Sequence, residues 1–239
     1  MGKKLLVLLV FGVFLTSCAV GRKAKEFYRQ YIYPKTTVNL KEKPEINVCV
    51  DRFASYLTET DGRLENLLED LNVQETLPGD MWAESMFKKY PWLTAIEVVS
   101  HSGENIFQYP KGVDIKQLKF SQLWSKAGNL GQINFQVCSS PLGPEFVLYK
   151  KIWTSKANLL LIVHFDVNLF FKRTECTKSI EIFVSNRCIW PKSNRLKGVN
   201  WDALLQERTY GRLDKDGKMW WWLGRKIGDK WLIYAYLCS

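Results

Sequence analysis

The chain opens on Lys3 and Lys4 followed by an unbroken apolar run from Leu5 to Leu15. That run is too short to remain in a bilayer as a spanning helix and has the length of a signal-peptide core. Residues 19–44 are polar and basic, contain Pro34 and Pro44, and read as a tether. Beyond them the pattern turns helical. Val50, Phe53, Leu57, Thr60, Leu64, Leu67 and Leu71 recur in steps of three and four, which predicts a long helix over 47–71 with Gly62 weakening its middle. Such a stripe serves either as a dimer seam or, the favoured reading, as the face that packs on the helix's own domain. Pro78-Gly79-Asp80 breaks the pattern, and Asp80 is placed to cap a short helix over 81–89.

From Trp92 the apolar period shortens to that of strands. Segments 93–100 and 105–109 flank the turn His101-Ser102-Gly103-Glu104, and a short helix is expected between Ile115 and Gly128. Strands over 132–138, 145–153 and 158–165 follow, separated by Pro141-Leu142-Gly143-Pro144 and Ser155-Lys156-Ala157. Asp166 then stands where it can cap one helical turn over 167–172. The order recurs. Ala95-Ile96-Glu97-Val98-Val99-Ser100 is matched by Ser179-Ile180-Glu181-Ile182-Phe183-Val184, and the stretch from Ile106 to Pro110 by that from Ile189 to Pro191. Gly112-Val113-Asp114 is echoed by Gly198-Val199-Asn200 before the helical Trp201-Asp202-Ala203-Leu204-Leu205, and Tyr149-Lys150-Lys151-Ile152 by Gly224-Arg225-Lys226-Ile227. A repeated β-β-α-β-β-β unit predicts two similar modules in tandem, each a sheet covered by helices.

Composition narrows the function classes. Ten Trp, ten Tyr and thirteen Phe supply more large apolar surface than a disordered chain could leave in water. The net charge of +10 falls to about +8 once residues 1–17 and their two lysines are removed. The excess is spread along the chain, with no basic stripe interleaved with stacking aromatics, so nucleic acid is not an expected partner. Arg22, Lys23 and Lys25 are placed to lie against anionic headgroups. Beyond Cys18 there are Cys49, Cys138, Cys176, Cys188 and Cys238, an odd number without a C-x-x-C pair, so the pairing of these thiols stays open. With His101 and His164 as the only histidines, no metal spacing forms and no cofactor is expected.

Leu15-Thr16-Ser17-Cys18 resembles the lipobox of bacterial lipoproteins. The resemblance implies acylation of Cys18, removal of residues 1–17, and a domain held on membrane lipid outside the cytoplasm, since several fatty acyl chains anchor stably. In enterobacteria, Ala19 in place of Asp after the lipidated residue favours the outer membrane over the inner. A long leading helix followed by two hairpin-plus-helix-plus-three-strand units resembles the double Cache domains, PAS-like extracellular sensors of bacterial chemoreceptors and histidine kinases. The segments from Trp92 to Gly103 and from Leu160 to Leu169 carry this likeness, which covers most of 47–237. It implies an α+β fold: a long N-terminal helix and two tandem PAS-like modules with antiparallel sheets. The expected divisions are 1–17 signal peptide, 18–44 tether, 45–175 helix plus first module, and 176–239 second module.

The resemblance also implies a small ligand, an amino acid or carboxylate, held by the first module, with Asp166 at the family's amine-binding position. Two departures stand against it. The family's Arg-x-Trp-Tyr helix motif is replaced by Phe120-Ser121-Gln122-Leu123-Trp124, and no transmembrane or output segment follows Leu237, so any signal would pass through a membrane signalling partner. By strand parity Tyr149, Lys151 and Trp153 share one face, and His164 shares parity with Asp166. With Trp124 they form a candidate ligand wall; the alternative is that Tyr149 and Trp153 are core, Lys151 a solvated rim and Asp166 a helix cap. Trp220, Trp221 and Trp222 put aromatics on both faces of the last hairpin, where packing between modules or contact with a partner are the readings. Asp214-Lys215-Asp216-Gly217 lacks the later ligands of a calcium loop and reads as a hairpin turn. No paired carboxylates, nucleophile motif or phosphate loop points to an enzyme. The expected function is a lipid-anchored sensor or binding domain, with a ligandless structural lipoprotein of the envelope as the alternative.

Overall fold

The computed structural model describes residues 48–112, 120–140, 143–154, 157–171, 179–191 and 195–238. The lipobox with Cys18, the tether and Cys176 lie outside the described residues. A 26-residue helix α1 (Val48–Val73) leads, with Phe53, Tyr56, Thr60, Leu64, Leu67 and Leu71 buried. These are the stripe positions, displaced at one place where Tyr56 rather than Leu57 faces inward. The second helix α2 (Asp80–Lys89) begins one residue earlier than expected: Gly79 holds the cap position without a side-chain bond. Asp80 lies instead inside the first turn, opposite Lys88 and Lys89 in the last, so its charges complement the helix dipole.

Ten strands then form two separate five-stranded antiparallel sheets. The first holds β1 (Leu93–Val99), β2 (Asn105–Tyr109), β3 (Asn134–Ser140), β4 (Gly143–Trp153) and β5 (Asn158–Asp166), with helix α3 (Phe120–Lys126) between β2 and β3 and α4 (Val167–Phe171) after β5. The second holds β6 (Ile180–Val184), β7 (Arg187–Trp190), β8 (Tyr210–Lys215), β9 (Lys218–Ile227) and β10 (Lys230–Cys238), with α5 (Trp201–Glu207) between β7 and β8. Their strand orders, β2-β1-β5-β4-β3 and β7-β6-β10-β9-β8, are the same order twice. The second strand of each ends at a cis X-Pro bond, Tyr109-Pro110 and Trp190-Pro191. The α+β fold with two tandem PAS-like modules behind a long helix is therefore observed.

Central strands of both sheets are covered on both faces, which is why β1, β5 and β6 read as near-continuous apolar runs rather than alternating ones. One face of each sheet joins a shared core. Ile96, Val98, Phe146 and Leu161 of the first sheet, Ile182, Leu232 and Tyr234 of the second, and Leu64, Leu67 and Leu71 of α1 belong to a single buried cluster. The helix thus packs on its own chain, the favoured reading of its stripe. Residues Ile46–Ser239 form one compact unit.

Polar contacts fasten α1 at four levels. Near its start, Cys49 is disulfide-bonded to Cys238 at the end of β10, across a sequence separation of 189. In the middle, Asp61 accepts from Arg225 of β9 and, at 3.1 Å, from the Tyr234 hydroxyl of β10. Two residues along, Arg63 Nη2 donates to the Phe170 carbonyl of α4 at 2.8 Å. At the far end Lys150 of β4, 2% exposed, donates to the carbonyls of Leu71 (2.8 Å) and Asn72 (3.0 Å). These are carbonyls a helix cannot bond internally, and an ammonium there also meets the negative end of the dipole. Burial holds that ammonium below the ordinary lysine pKa, with Glu75 opposing.

Removing Asp61 strands a half-buried guanidinium against Glu65 alone, its Nη1 at 3.5 Å. Asp61→Ala is expected to cost about 2–4 kcal/mol in urea unfolding, somewhat less than the ~3–5 kcal/mol for breaking a fully buried pair because both side chains keep 20–22% of their surface exposed. The exposed Arg212–Asp214 pair is the control: Asp214→Ala should change stability by less than about 1 kcal/mol.

Candidate functional site

The face of the first sheet turned away from α1 combines an apolar floor with two polar ends. Val99 of β1, Val147 and Tyr149 of β4, and Leu160 and Ile162 of β5 form the floor, with Leu123 of α3 and Ala127 packed over it. Lys151 stands opposite Leu160 at one end, and His164 opposite Val147 at the other. Four residues along a strand separate these positions by about 13 Å. At the cationic end Lys151 Nζ lies 5.8 Å from the centroid of the Trp124 ring. That indole is fixed by Nε1 donating to the Ser100 carbonyl at 3.1 Å and by the His101 ring, centroid to centroid at 5.0 Å.

The other end is a buried carboxylate–imidazole cluster. His164, 2% exposed, has Nε2 at 2.7 Å from Glu97 Oε1, itself on the neighbouring strand β1 and equally buried. Its Nδ1 is 3.5 Å from Glu145 Oε2, an ion-pair separation without hydrogen-bond alignment. The Thr94 hydroxyl steadies Glu145 by donating to Oε1 at 2.7 Å. Burial pushes the imidazole towards its neutral form, but the proximity of the Glu145 and Glu97 carboxylates outweighs it, so the His164 pKa stands above its ordinary value. An imidazole held between two carboxylates puts ionisable groups of both signs at this end of the floor.

The sequence-predicted residues therefore separate. Tyr149, 2% exposed, is part of the floor; burial first, then the charge of Asp229, pushes its phenol up to about 12. Trp124 and Lys151 meet at the rim. His164 is brought into the same face but is sealed by its carboxylates. Trp153 is 57% exposed at the end of β4 and stands outside the cluster. Asp166 caps α4: its Oδ1 accepts from the N–H groups of Asn168 (2.6 Å) and Leu169 (3.2 Å). The cap reading of Asp166 accounts for this geometry.

The three tryptophans of β9 are taken up by packing within the chain to different degrees. Trp220 and Trp222 are each 1% exposed, Trp222 against the Trp201 ring of α5 and Trp220 under the Arg195 guanidinium, and the partly buried Trp221 packs against the core shared with α1. Packing within the chain, one of the two readings of these residues, accounts for Trp220 and Trp222, while Trp221 keeps part of its surface in solvent. The Asp214–Gly217 segment is the β8–β9 hairpin turn, with Asp216 at φ 52° and Gly217 at φ 71°. Cys138 is a free thiol, and burial raises its pKa.

Glu97 and Glu145 escaped notice in the sequence. A legible signal existed for Glu97: a lone acid inside an apolar strand, repeated as Glu181 in the second module. That second acid, fully buried, is consumed locally by accepting from Arg195 N (2.8 Å), Arg195 Nε (2.9 Å) and Leu196 N (3.2 Å). At the place corresponding to His164, Leu237 pairs with Ser179. The covered face of the second sheet is filled by Phe183, Trp201, Trp220 and Trp222.

No protein-family model and no curated protein matches the chain. Solved structures do. The extracellular domain of a protein described as a histidine kinase matches with TM-score 0.51 and 12% identity, over 79% of this chain and 90% of that one. An extracellular ligand-binding receptor from Desulfohalobium retbaense matches at 0.48 and 16% identity over 79% of this chain, which spans only 39% of that receptor. The ligand-binding domain of an amino-acid chemoreceptor from Pseudomonas aeruginosa, in complex with GABA, matches at 0.47 and 8% over 80% of this chain and 96% of that one. The first of these likenesses shows the fold: the chain shares the double-module architecture of that extracellular domain.

The buried imidazole ties stability to pH in a defined direction. A group whose pKa is raised on folding contributes fully below its unfolded value, about 6.5, and its contribution is lost as pH rises through the folded pKa. Stability should therefore fall with rising pH above about 6.5, with a slope of up to about 1.4 kcal/mol per pH unit from this one proton. His164→Gln should flatten that stretch of the denaturation-midpoint profile; an unchanged slope would remove His164 as its source.

Proposed function

We propose that the chain is a lipid-anchored, extracytoplasmic sensor domain of double Cache type that captures a small amino acid or carboxylate on the covered face of its first sheet. The observation that carries this reading is the contrast between the two modules. The first sheet's covered face joins an apolar floor to a cationic rim, Lys151 on Trp124, and to a buried carboxylate–imidazole cluster, whereas indoles fill the second. A face with polar groups of opposite sign around an apolar centre suits a small molecule with a charged end. In this reading the domain works by binding rather than catalysis, and a membrane signalling protein carries the output.

Lipid attachment through Cys18 is part of the proposal and rests on the lipobox-like segment. The disulfide between Cys49 and Cys238 supports an oxidising compartment outside the cytoplasm. Among the described residues no helix is long and apolar enough to cross a membrane. The second reading, an envelope structural lipoprotein without a small ligand, draws on the near-complete burial of Tyr149 and His164.

Thermal unfolding of the whole chain against amino acids, organic acids and polyamines separates the two. A true ligand at about 100 times its Kd adds about 2.7 kcal/mol and raises the midpoint with concentration. Lys151→Met should remove that rise; a flat response to every compound supports the structural lipoprotein instead. For the anchor, Cys18→Ser expressed in a bacterium should move the protein from the membrane fraction to the soluble fraction and abolish incorporation of labelled palmitate. Membrane retention of that variant would sink the lipid assignment.

A further inference from the structure

The second sheet ends on β8, whose one strand neighbour among the described residues is β9. The hairpin that joins them has Asp216 and Gly217 at its tip, both at positive φ (52° and 71°), with Lys215 opposite Lys218. A two-residue turn of that kind closes with hydrogen bonds between its flanking residues, so Lys215 turns its backbone groups towards β9. Antiparallel pairing alternates along the strand. Leu213 and Gly211 therefore do the same, whereas Tyr210, Arg212 and Asp214 present their N–H and C=O groups to the outer edge. Such an edge is a template for a further strand.

The side chains of β8 decide which strand fits. Tyr210, Arg212 and Asp214 leave one face by strand parity. Tyr210 is 65% exposed, and the side chains of Arg212 and Asp214 keep 56% and 62% of their surface in solvent. A run of like charge would repel its own copy; here the charges are opposite and two residues apart, a spacing that is self-complementary. When two copies of β8 meet antiparallel about a two-fold axis at Leu213, Arg212 of each stands opposite Asp214 of the other. Outward-facing residues then meet outward-facing residues, and each Arg212–Asp214 pair can exchange two backbone hydrogen bonds. Moving the axis to Arg212 or to Asp214 would set like charges opposite each other, which is destabilising. Within one copy Arg212 Nη2 reaches Asp214 Oδ2 at 3.1 Å, but an exposed pair contributes little, so little is lost when each charge turns to the other copy.

We propose that β8 is a homodimer interface, at which a second copy of the chain pairs edge to edge and joins two five-stranded sheets into one continuous sheet. The contact is isologous, as a two-fold axis requires. It needs neither a small ligand nor a lipid anchor, so its fate is separate from that of the proposed sensing role.

Sedimentation equilibrium of the full chain should show a concentration-dependent monomer–dimer equilibrium. Arg212→Asp and Asp214→Arg each set like charges opposite twice in the dimer, and each should weaken association about tenfold or more. Both side chains are exposed, and Asp214→Ala is already expected to leave stability nearly unchanged, so these variants keep the fold. The double variant exchanges the two charges and should return to within about threefold of the parent. A chain that stays monomeric at every concentration overturns the interface. A single variant that associates as tightly as the parent places the contact elsewhere and overturns it too, and a double variant no better than the singles overturns the register.

Discussion

Everything in this molecule leans on one helix serving two sheets. Neither sheet can bury its inner face alone, because the apolar residues of β1, β5 and β4 on one side and of β6, β10 and β9 on the other converge on the same stripe of α1. A helix in that position has few places to end in water. Its C-terminal carbonyls are met by a buried lysine from the first sheet, its middle by an arginine and a tyrosine from the second, and its start by a disulfide to the last strand. Each fastening satisfies a group that burial would otherwise leave unpaired. The two modules are thereby tied to one and the same helix.

The repeat is one of topology, not of use. Both sheets follow the same strand order and place an acid at the same point of their first strand, Glu97 and Glu181. In the second module that acid is satisfied by two backbone amides and an arginine of the adjoining loop, and tryptophans fill the rest of the face. In the first it meets a histidine held against a second carboxylate. One copy has closed its covered face with indoles, whereas the other keeps charges of both signs around an apolar centre. That asymmetry is the physical content of the proposed division between a binding module and a supporting one.

Much of this was legible in the chain. Long periodic segments announce themselves because burial demands a fixed spacing: the stripe from Phe53 to Leu71 and the strand runs around Ile96, Leu161 and Ile182 needed no neighbours to be recognised. The tandem repeat was legible for the same reason, since two copies of one unit must satisfy one set of constraints. Single side chains were less so. Asp166 and Trp153 share parity with residues of the ligand face, yet one turns its oxygen to the amides of α4 and the other ends in solvent. Parity tells which face a residue leaves from, not how far cover extends over that face. For Trp220 and Trp222 the sequence left packing and partner contact side by side, because no sequence pattern shows that they share a cluster with Trp201 of α5.

The sequence by itself determined the element order, the α+β class, the doubling of the module and the helix that precedes it, because each of these follows from local spacing of apolar and turn-forming residues. Only the tertiary structure decided which polar groups meet. Asp61 and Arg225 are 164 residues apart, Glu97 and His164 are 67 apart, and Lys150 finds a helix end 79 residues earlier. Such pairings are made where packing excludes water from groups that local sequence leaves free. They depend on the register of distant strands, a quantity that no stretch of chain contains on its own.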